Sequence, residues 1–242
     1  MWGATDVLRR VFRTGSPTNL ITIACIVLYV LSLVLDPAGA LRPRGPFEVF
    51  SPSGAALHAL GATGAFPWAH GEWWTLFTAI YLHGGLLHIL FNVLWIRQLG
   101  PAVEELYGPA RFFVIFTVSG VVGFVVSNAI GVGFTVGASG SIFGLLGAMV
   151  AFGRRRGGVF GTMVLRQYGQ WALLLFVLGF FMSGVNNLAH LGGFLGGLGA
   201  GFVISHAERH SETTLDHLLA AACVVVTVLS FALALYSAFF GG

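Results

Sequence analysis

Residues 112–130 read FFVIFTVSGVVGFVVSNAI, nineteen positions without a charged side chain. At about 1.5 Å per residue, a helix of that length nearly crosses the roughly 30 Å hydrocarbon layer of a bilayer. The stretch is one of a series. Apolar runs bounded by Gly, Pro or charge occur at Asn19–Leu35, Gly84–Glu104, Phe112–Ile130, Ser139–Gly153, Tyr168–Gly184, Leu188–Ser205 and Leu215–Phe240. The sequence therefore predicts an all-α polytopic membrane protein with seven transmembrane helices. Composition points the same way: 56% of residues are hydrophobic, 9% are charged, and the mean hydropathy is +0.86. One soluble domain of this size would need polar helix faces between its apolar ones, and those faces are missing.

All twelve basic side chains are arginine, and the formal net charge is +3. With so few charges, the pI near 9.2 points to no nucleic-acid partner. Their positions are more informative. With the amino terminus inside, Arg9, Arg10, Arg13, Arg97, Arg111, Arg154, Arg155, Arg156, Arg166 and Arg209 fall on the inner side, and Arg42 and Arg44 outside. The positive-inside rule then sets the amino terminus in and the carboxyl terminus out. Ala38-Gly39-Ala40 imitates a signal-peptidase site, but the preceding apolar run is too long for a signal peptide and follows about 18 mixed residues. The compact arrangement without a targeting extension points to a bacterial plasma membrane. Cys25 and Cys223 lie in apolar runs and suggest neither a disulfide nor a redox motif.

The one long outer loop, roughly Asp36 to Leu82, is rich in Gly, Pro and aromatic residues. Phe66-Pro67-Trp68 and Trp73-Trp74 suit the headgroup layer, so the loop is expected to lie at the interface, in contact with membrane lipids.

A strongly polar side chain at membrane depth is costly and is a functional candidate by default. The second span carries His88 and Asn92, four residues apart on one helical face. Ser139 opens the fourth span in Gly137-Ala138-Ser139-Gly140. His190 starts the sixth in Asn187-Leu188-Ala189-His190-Leu191-Gly192-Gly193. Taken singly, each has a plain structural explanation: a serine bonds back to its own helix, and Asn or His ties helices together. Together they form the parts of a nucleophilic site, with Ser139 as hydroxyl, His190 as base, and the Ser139 backbone N–H, His88 and Asn92 as oxyanion donors. Gly193 and Gly197 on the sixth helix, with Gly140, Gly144 and Gly147 on the fourth, would let the two backbones approach closely.

No Asp or Glu occurs in the fourth, fifth or sixth span, so a Ser–His dyad is expected rather than a triad. The nucleophile-elbow pattern is absent, because Ser141 stands two residues after Ser139. His206 and His210 have zincin spacing without the adjacent Glu, and that run is expected to be a solvated helix end.

Helix lengths set the depth of the site. Ser139 to Arg154 spans 15 residues, about 22 Å at the helical rise. If Arg154 marks the inner boundary, Ser139 lies roughly 8 Å below the outer one. His190 to His206 is 16 residues, about 24 Å, which brings His190 to nearly the same level. The non-helical Gly131–Ala138 segment must then descend into the membrane, surrounded by protein or a water-filled cavity. Ser139 and His190 are expected at the floor of a cavity open to the outside, with His88 and Asn92 on its wall.

These pieces resemble the rhomboid intramembrane proteases. The resemblance is carried by His88-Ile89-Leu90-Phe91-Asn92, the Gly100, Glu104 and Gly108 spacing, Gly137-Ala138-Ser139-Gly140, and Ala189-His190 followed by Gly193 and Gly197. It implies a six-helix catalytic core over residues 19–206, preceded by a cytoplasmic segment 1–18 and followed by a seventh helix in 207–242. It also implies a serine endopeptidase, without metal or cofactor, that cuts transmembrane protein substrates in or beside their helices. Ser139 would attack, His190 would carry the proton, and His88, Asn92 and the Ser139 N–H would hold the oxyanion. Gly137, Gly140, Phe143, Gly193 and Gly197 would support the site.

Two positions depart from the family's pattern. Thr75 follows Glu72-Trp73-Trp74 where an arginine is usual, and Phe143 replaces a tyrosine, keeping the ring but not the hydroxyl. The competing functions are a non-catalytic relative that binds transmembrane clients, which would lack the serine, the histidine or both, and a transporter that uses its polar residues as a substrate path.

Overall fold

The computed structural model describes residues 15–41, 50–182, 184–204 and 211–240. Arg9, Arg10, Arg13, Arg42, Arg44, Arg209 and the run from His206 to His210 lie outside these residues. Seven long helices are present among those described: α1 Pro17–Leu35, α2 Leu86–Tyr107, α3 Pro109–Ala129, α4 Ser139–Arg156, α5 Gly158–Gly179, α6 Asn187–Val203 and α7 Thr214–Phe240. The all-α polytopic expectation holds, and the protein is an integral, multi-pass membrane protein.

Four of the helices, α1, α2, α3 and α7, are long and apolar enough to cross a membrane by length and composition. The interior helices are less apolar. With 18 and 17 residues, α4 and α6 reach about 27 and 25 Å at the helical rise. Shortness is tolerable because α4 is packed against α2, α3, α5 and α6 and most of its residues are buried.

The α4–α6 pairing follows from glycine. A Cβ added to Gly193 would lie 2.1 Å from the Gly140 carbonyl oxygen, and one on Gly197 would lie 1.9 Å from that of Gly144. On the facing helix, a Cβ on Gly147 would meet the Phe194 carbonyl oxygen at 2.2 Å. Backbones this close exclude any side chain, which is the small-residue mode of packing in lipid. Gly197→Ala should therefore force α6 off α4 and destabilise the protein by about 1–3 kcal/mol or more. A lower denaturation midpoint in detergent would register this; an unchanged midpoint would show that the helices can separate freely.

One expected boundary is corrected. The fifth helix was expected from Tyr168 to Gly184, but it starts ten residues earlier at Gly158 and ends at Gly179. The connection after α4 is a tight turn at Gly157, whose φ of +63° closes the helix in the left-handed region. Exposed Thr162, Arg166 and Gln167 interrupt the apolar run without interrupting the helix.

The ends of the bundle are tied by polar contacts. Glu104 of α2 accepts from Ser16 Oγ at 2.8 Å, from Thr18 N at 2.7 Å and from the Thr18 hydroxyl, capping the start of α1. Arg155 donates to the Phe202 and Ile204 carbonyls at 2.7 and 3.2 Å, capping the end of α6. At the start of α3, Glu212 accepts from Ala110 N at 2.7 Å and Arg111 N at 3.0 Å, while Arg111 pairs with Asp216 at 2.9 Å. The seventh helix is thus latched to α3 by charge as well as by packing.

The segment between α1 and α2 contains short helices at Pro37–Ala40, Gly54–Ala59, Ala65–Ala69 and Thr75–Thr78 and a 3-10 turn at Ala79–Tyr81. Phe66, Trp68 and Trp73 are exposed, the placement an interfacial loop requires.

Candidate active site

Ser139 stands at the first position of α4, behind the non-helical segment that follows Ile130. The first amides of a helix have no helical acceptor, so the Ser139 N–H is one of a set of free donors at the positive end of the helix dipole. His190 lies in the first turn of α6 and is 6% exposed. Its Nε2 is 2.9 Å from Ser139 Oγ. The glycine contacts between α4 and α6 bring these two helix starts together, and the pair sits 51 residues apart in sequence.

The other ring nitrogen identifies the tautomer. His190 Nδ1 is 3.2 Å from Asn187 Oδ1, an acceptor, so Nδ1 carries the proton. Nε2 then presents its lone pair to the serine hydroxyl, the arrangement a general base needs. Asn187 was not among the expected site residues. Its signal was available, since a residue three before His190 on a helix lies on the same face. Phe143 stacks on the imidazole at a centroid distance of 4.3 Å and 16° between planes, limiting rotation of the ring.

His88 and Asn92 lie on α2. His88 Nδ1 accepts from Gly84 N at 3.3 Å, which leaves the proton on Nε2. That nitrogen faces the start of the fourth helix, because a Cβ built on Gly137 would lie 2.6 Å from it. Gly137 also has φ +126°, so both its backbone and its neighbour select glycine. Asn92 is 4% exposed and spends one Nδ2 hydrogen on the His88 carbonyl at 2.8 Å, leaving the second. The fully buried His83 packs edge-on against His88 with centroids 5.1 Å apart and is a further polar neighbour that sequence reasoning passed over.

Asn186 caps α6 by accepting from Ala189 N at 3.1 Å. It also donates to Ser127 Oγ at 2.6 Å and Thr135 Oγ1 at 3.1 Å, tying the cap to α3 and to the segment that leads to Ser139. Among the described residues no cluster of His, Cys, Asp and Glu is arranged to hold a metal ion.

A family profile described as Rhomboid domain matches residues 70–207. The chain is 36% identical to the Rhomboid protease GluP of Bacillus subtilis over 193 residues, covering 77% of this chain and 35% of that protein. It is 33% identical to RHOMBOID-like protein 1 of Arabidopsis thaliana over 171 residues, covering 68% of this chain and 43% of the other. To the Rhomboid protease GlpG of Salmonella choleraesuis it is 32% identical over 201 residues, covering 79% and 64%. The chain thus spans between about a third and two thirds of the length of these relatives.

Proposed function

The chain belongs to the rhomboid family, and from that premise we propose that it is an intramembrane serine endopeptidase acting through Ser139 and His190. The observation that carries this proposal is the 2.9 Å contact between Ser139 Oγ and Nε2 of His190 at the adjoining starts of two helices.

In the first step Ser139 Oγ bonds to the scissile carbonyl carbon while its proton passes to His190 Nε2, and the carbonyl π pair becomes an oxyanion. The Ser139 N–H, His88 Nε2–H and the second Asn92 Nδ2 hydrogen hold that charge. Collapse breaks the C–N bond, and His190 returns the proton to the leaving amine. Water, deprotonated by the same nitrogen, then releases the acyl group and regenerates the serine. The imidazole cycles through the cation, and Asn187 accepts from its Nδ1–H throughout. Gly137, Gly140, Gly193 and Gly197 support the site by permitting close backbones, and Phe143 by stacking on His190. The substrates are transmembrane proteins, cut in or next to their helices through a cavity open to the outside.

The test is covalent labelling by a fluorescent alkyl fluorophosphonate. Labelling of the wild-type chain and none in Ser139→Ala is expected; no labelling of folded wild type would favour the non-catalytic, client-binding alternative.

The orientation is part of the same proposal, with the amino terminus inside, the carboxyl terminus outside and the membrane a bacterial plasma membrane. The arginines of Arg154–Arg156 support it. A topology reporter fused after Phe240 is expected to read outside and one inserted at the Gly157–Gly158 turn inside. The reverse pattern would put the chemistry at the cytoplasmic face.

A further inference from the structure

We propose that Thr63, in the long loop between α1 and α2, is a positioning residue for the Ser139–His190 pair; the proposal rests on the catalytic reading of that pair. Thr63 is fully buried. Its Oγ1 accepts from Asn128 Nδ2 at 3.0 Å and is hydrogen-bonded to Thr75 Oγ1 at 3.0 Å. Thr75 in turn donates to the Glu72 carbonyl at 2.7 Å. The hydroxyl of one loop residue therefore joins the end of α3 to the short helix Thr75–Thr78.

The backbone of Thr63 reaches the catalytic segment directly. Thr63 N donates to the Thr135 carbonyl at 3.3 Å, and Thr135 N donates to the Thr63 carbonyl at 2.8 Å, forming an antiparallel bridge. Two residues on, Ala65 N donates to the Val132 carbonyl at 2.8 Å. The intervening Gly64 lies so close to the segment that leads to Ser139 that a Cβ there would sit 2.0 Å from the Gly133 carbonyl oxygen. Thr135 continues the chain, because its Oγ1 accepts from Asn186, the residue that caps α6. One connected path thus runs from Thr75 through Thr63 and Thr135 to Asn186. It reaches that segment four residues before Ser139 and α6 four residues before His190.

Thr75 occupies the position where the family's pattern has arginine. In this chain a neutral side-chain relay starts there, and it ends on the segment that leads into the nucleophile's helix. Without the Thr63 hydroxyl, the buried Asn128 Nδ2 and the Thr75 hydroxyl lose a partner at once. Thr75 keeps the Glu72 carbonyl, but the buried Asn128 amide is left unsatisfied, and such a group drives local rearrangement at the end of α3. The segment between Ile130 and Ala138 has no helical hydrogen bonds of its own, so its placement rests on these loop contacts and on the end of α3 that Asn128 belongs to.

The experiment uses the full chain in detergent, with two rates read on each variant: acylation of Ser139 by the alkyl fluorophosphonate, and cleavage of a fluorogenic single-span peptide. Thr63→Val, which keeps the volume and deletes the hydroxyl, should slow both acylation and kcat by about 10- to 100-fold with KM changed less than about threefold, as a misplacement near 1 Å does. Thr63→Ser, which restores the hydroxyl, should recover both rates to within about threefold of wild type. A residue that only supports the fold would change the melting temperature and leave the rates per folded molecule alone. Unchanged rates in folded Thr63→Val would overturn the positioning role. Should Thr63→Val fail to fold, Thr75→Val and Thr135→Val, each removing one bond of the path, are read by the same rates, and unchanged rates in both would overturn it equally. Failure of the catalytic reading is separately visible as absent labelling of wild type.

Discussion

Ser139→Ala and His190→Ala should each lower cleavage of a transmembrane substrate by about 10⁴-fold or more, the order lost when a nucleophile or its base is removed from a serine hydrolase. The expectation follows from one shared hydrogen bond, the 2.9 Å contact between Oγ and Nε2. Alanine at 139 removes the attacking atom, and alanine at 190 removes the only acceptor placed to take its proton among the described residues. Because the two act as a unit, the double variant should be no slower than either single one. Both variants should stay folded in detergent, since the backbone contacts of the glycine seam hold α4 to α6 without the Ser139–His190 bond or the Phe143 stack on His190. Ordinary turnover by either folded variant would sink the dyad.

The second large effect concerns the charge that forms on the carbonyl oxygen. Asn92→Ala and His88→Ala should each slow turnover by about 10²- to 10³-fold while Ser139 remains reactive toward a small fluorophosphonate. Asn92 already bonds back to its own helix, so its loss should cost little stability. His88 is held by Gly84 N on one side and by the space at Gly137 on the other. If both variants turned over at the wild-type rate, the two residues would be packing elements of α2, and the oxyanion would rest on backbone amides alone.

The glycine seam was legible before any coordinates, because Gly193 and Gly197 recur at the spacing that places residues on one helix face. Their partners Gly140 and Gly144 recur in the same way on the fourth helix. The polar candidates were legible for a related reason: a strongly polar side chain at membrane depth is costly, so His88, Asn92 and His190 stood out, and Ser139 with the glycines beside it. The start of α5 was not legible. Hydropathy scores an apolar run, whereas a helix needs only backbone bonds and one face to bury, so exposed Thr162, Arg166 and Gln167 hid the first turns.

Asn187 illustrates the other limit. It sat in the quoted run beside His190, but its bearing on the tautomer depends on which way two side chains turn, and no spacing specifies a rotamer. The Thr63 path was further from reach, since its members are small, neutral and spread from Thr63 and Thr75 to Thr135 and Asn186. Threonine in a loop carries no signal until its neighbours are known.

By itself, then, the sequence determined what the bilayer demands: long apolar helices, small residues where helices meet, and few, conspicuous polar groups. Those requirements are local or periodic, and the physical chemistry of lipid writes them into the chain residue by residue. Tertiary structure decided what depends on meeting at a distance: that Nε2 of His190 faces Ser139 Oγ across 51 residues of chain, that Glu212 and Asp216 latch α7 to α3, and that an outer loop pairs with the segment leading to the nucleophile. Hydrogen bonds are directional and short, so they exist only once the packed helices have set every backbone within reach.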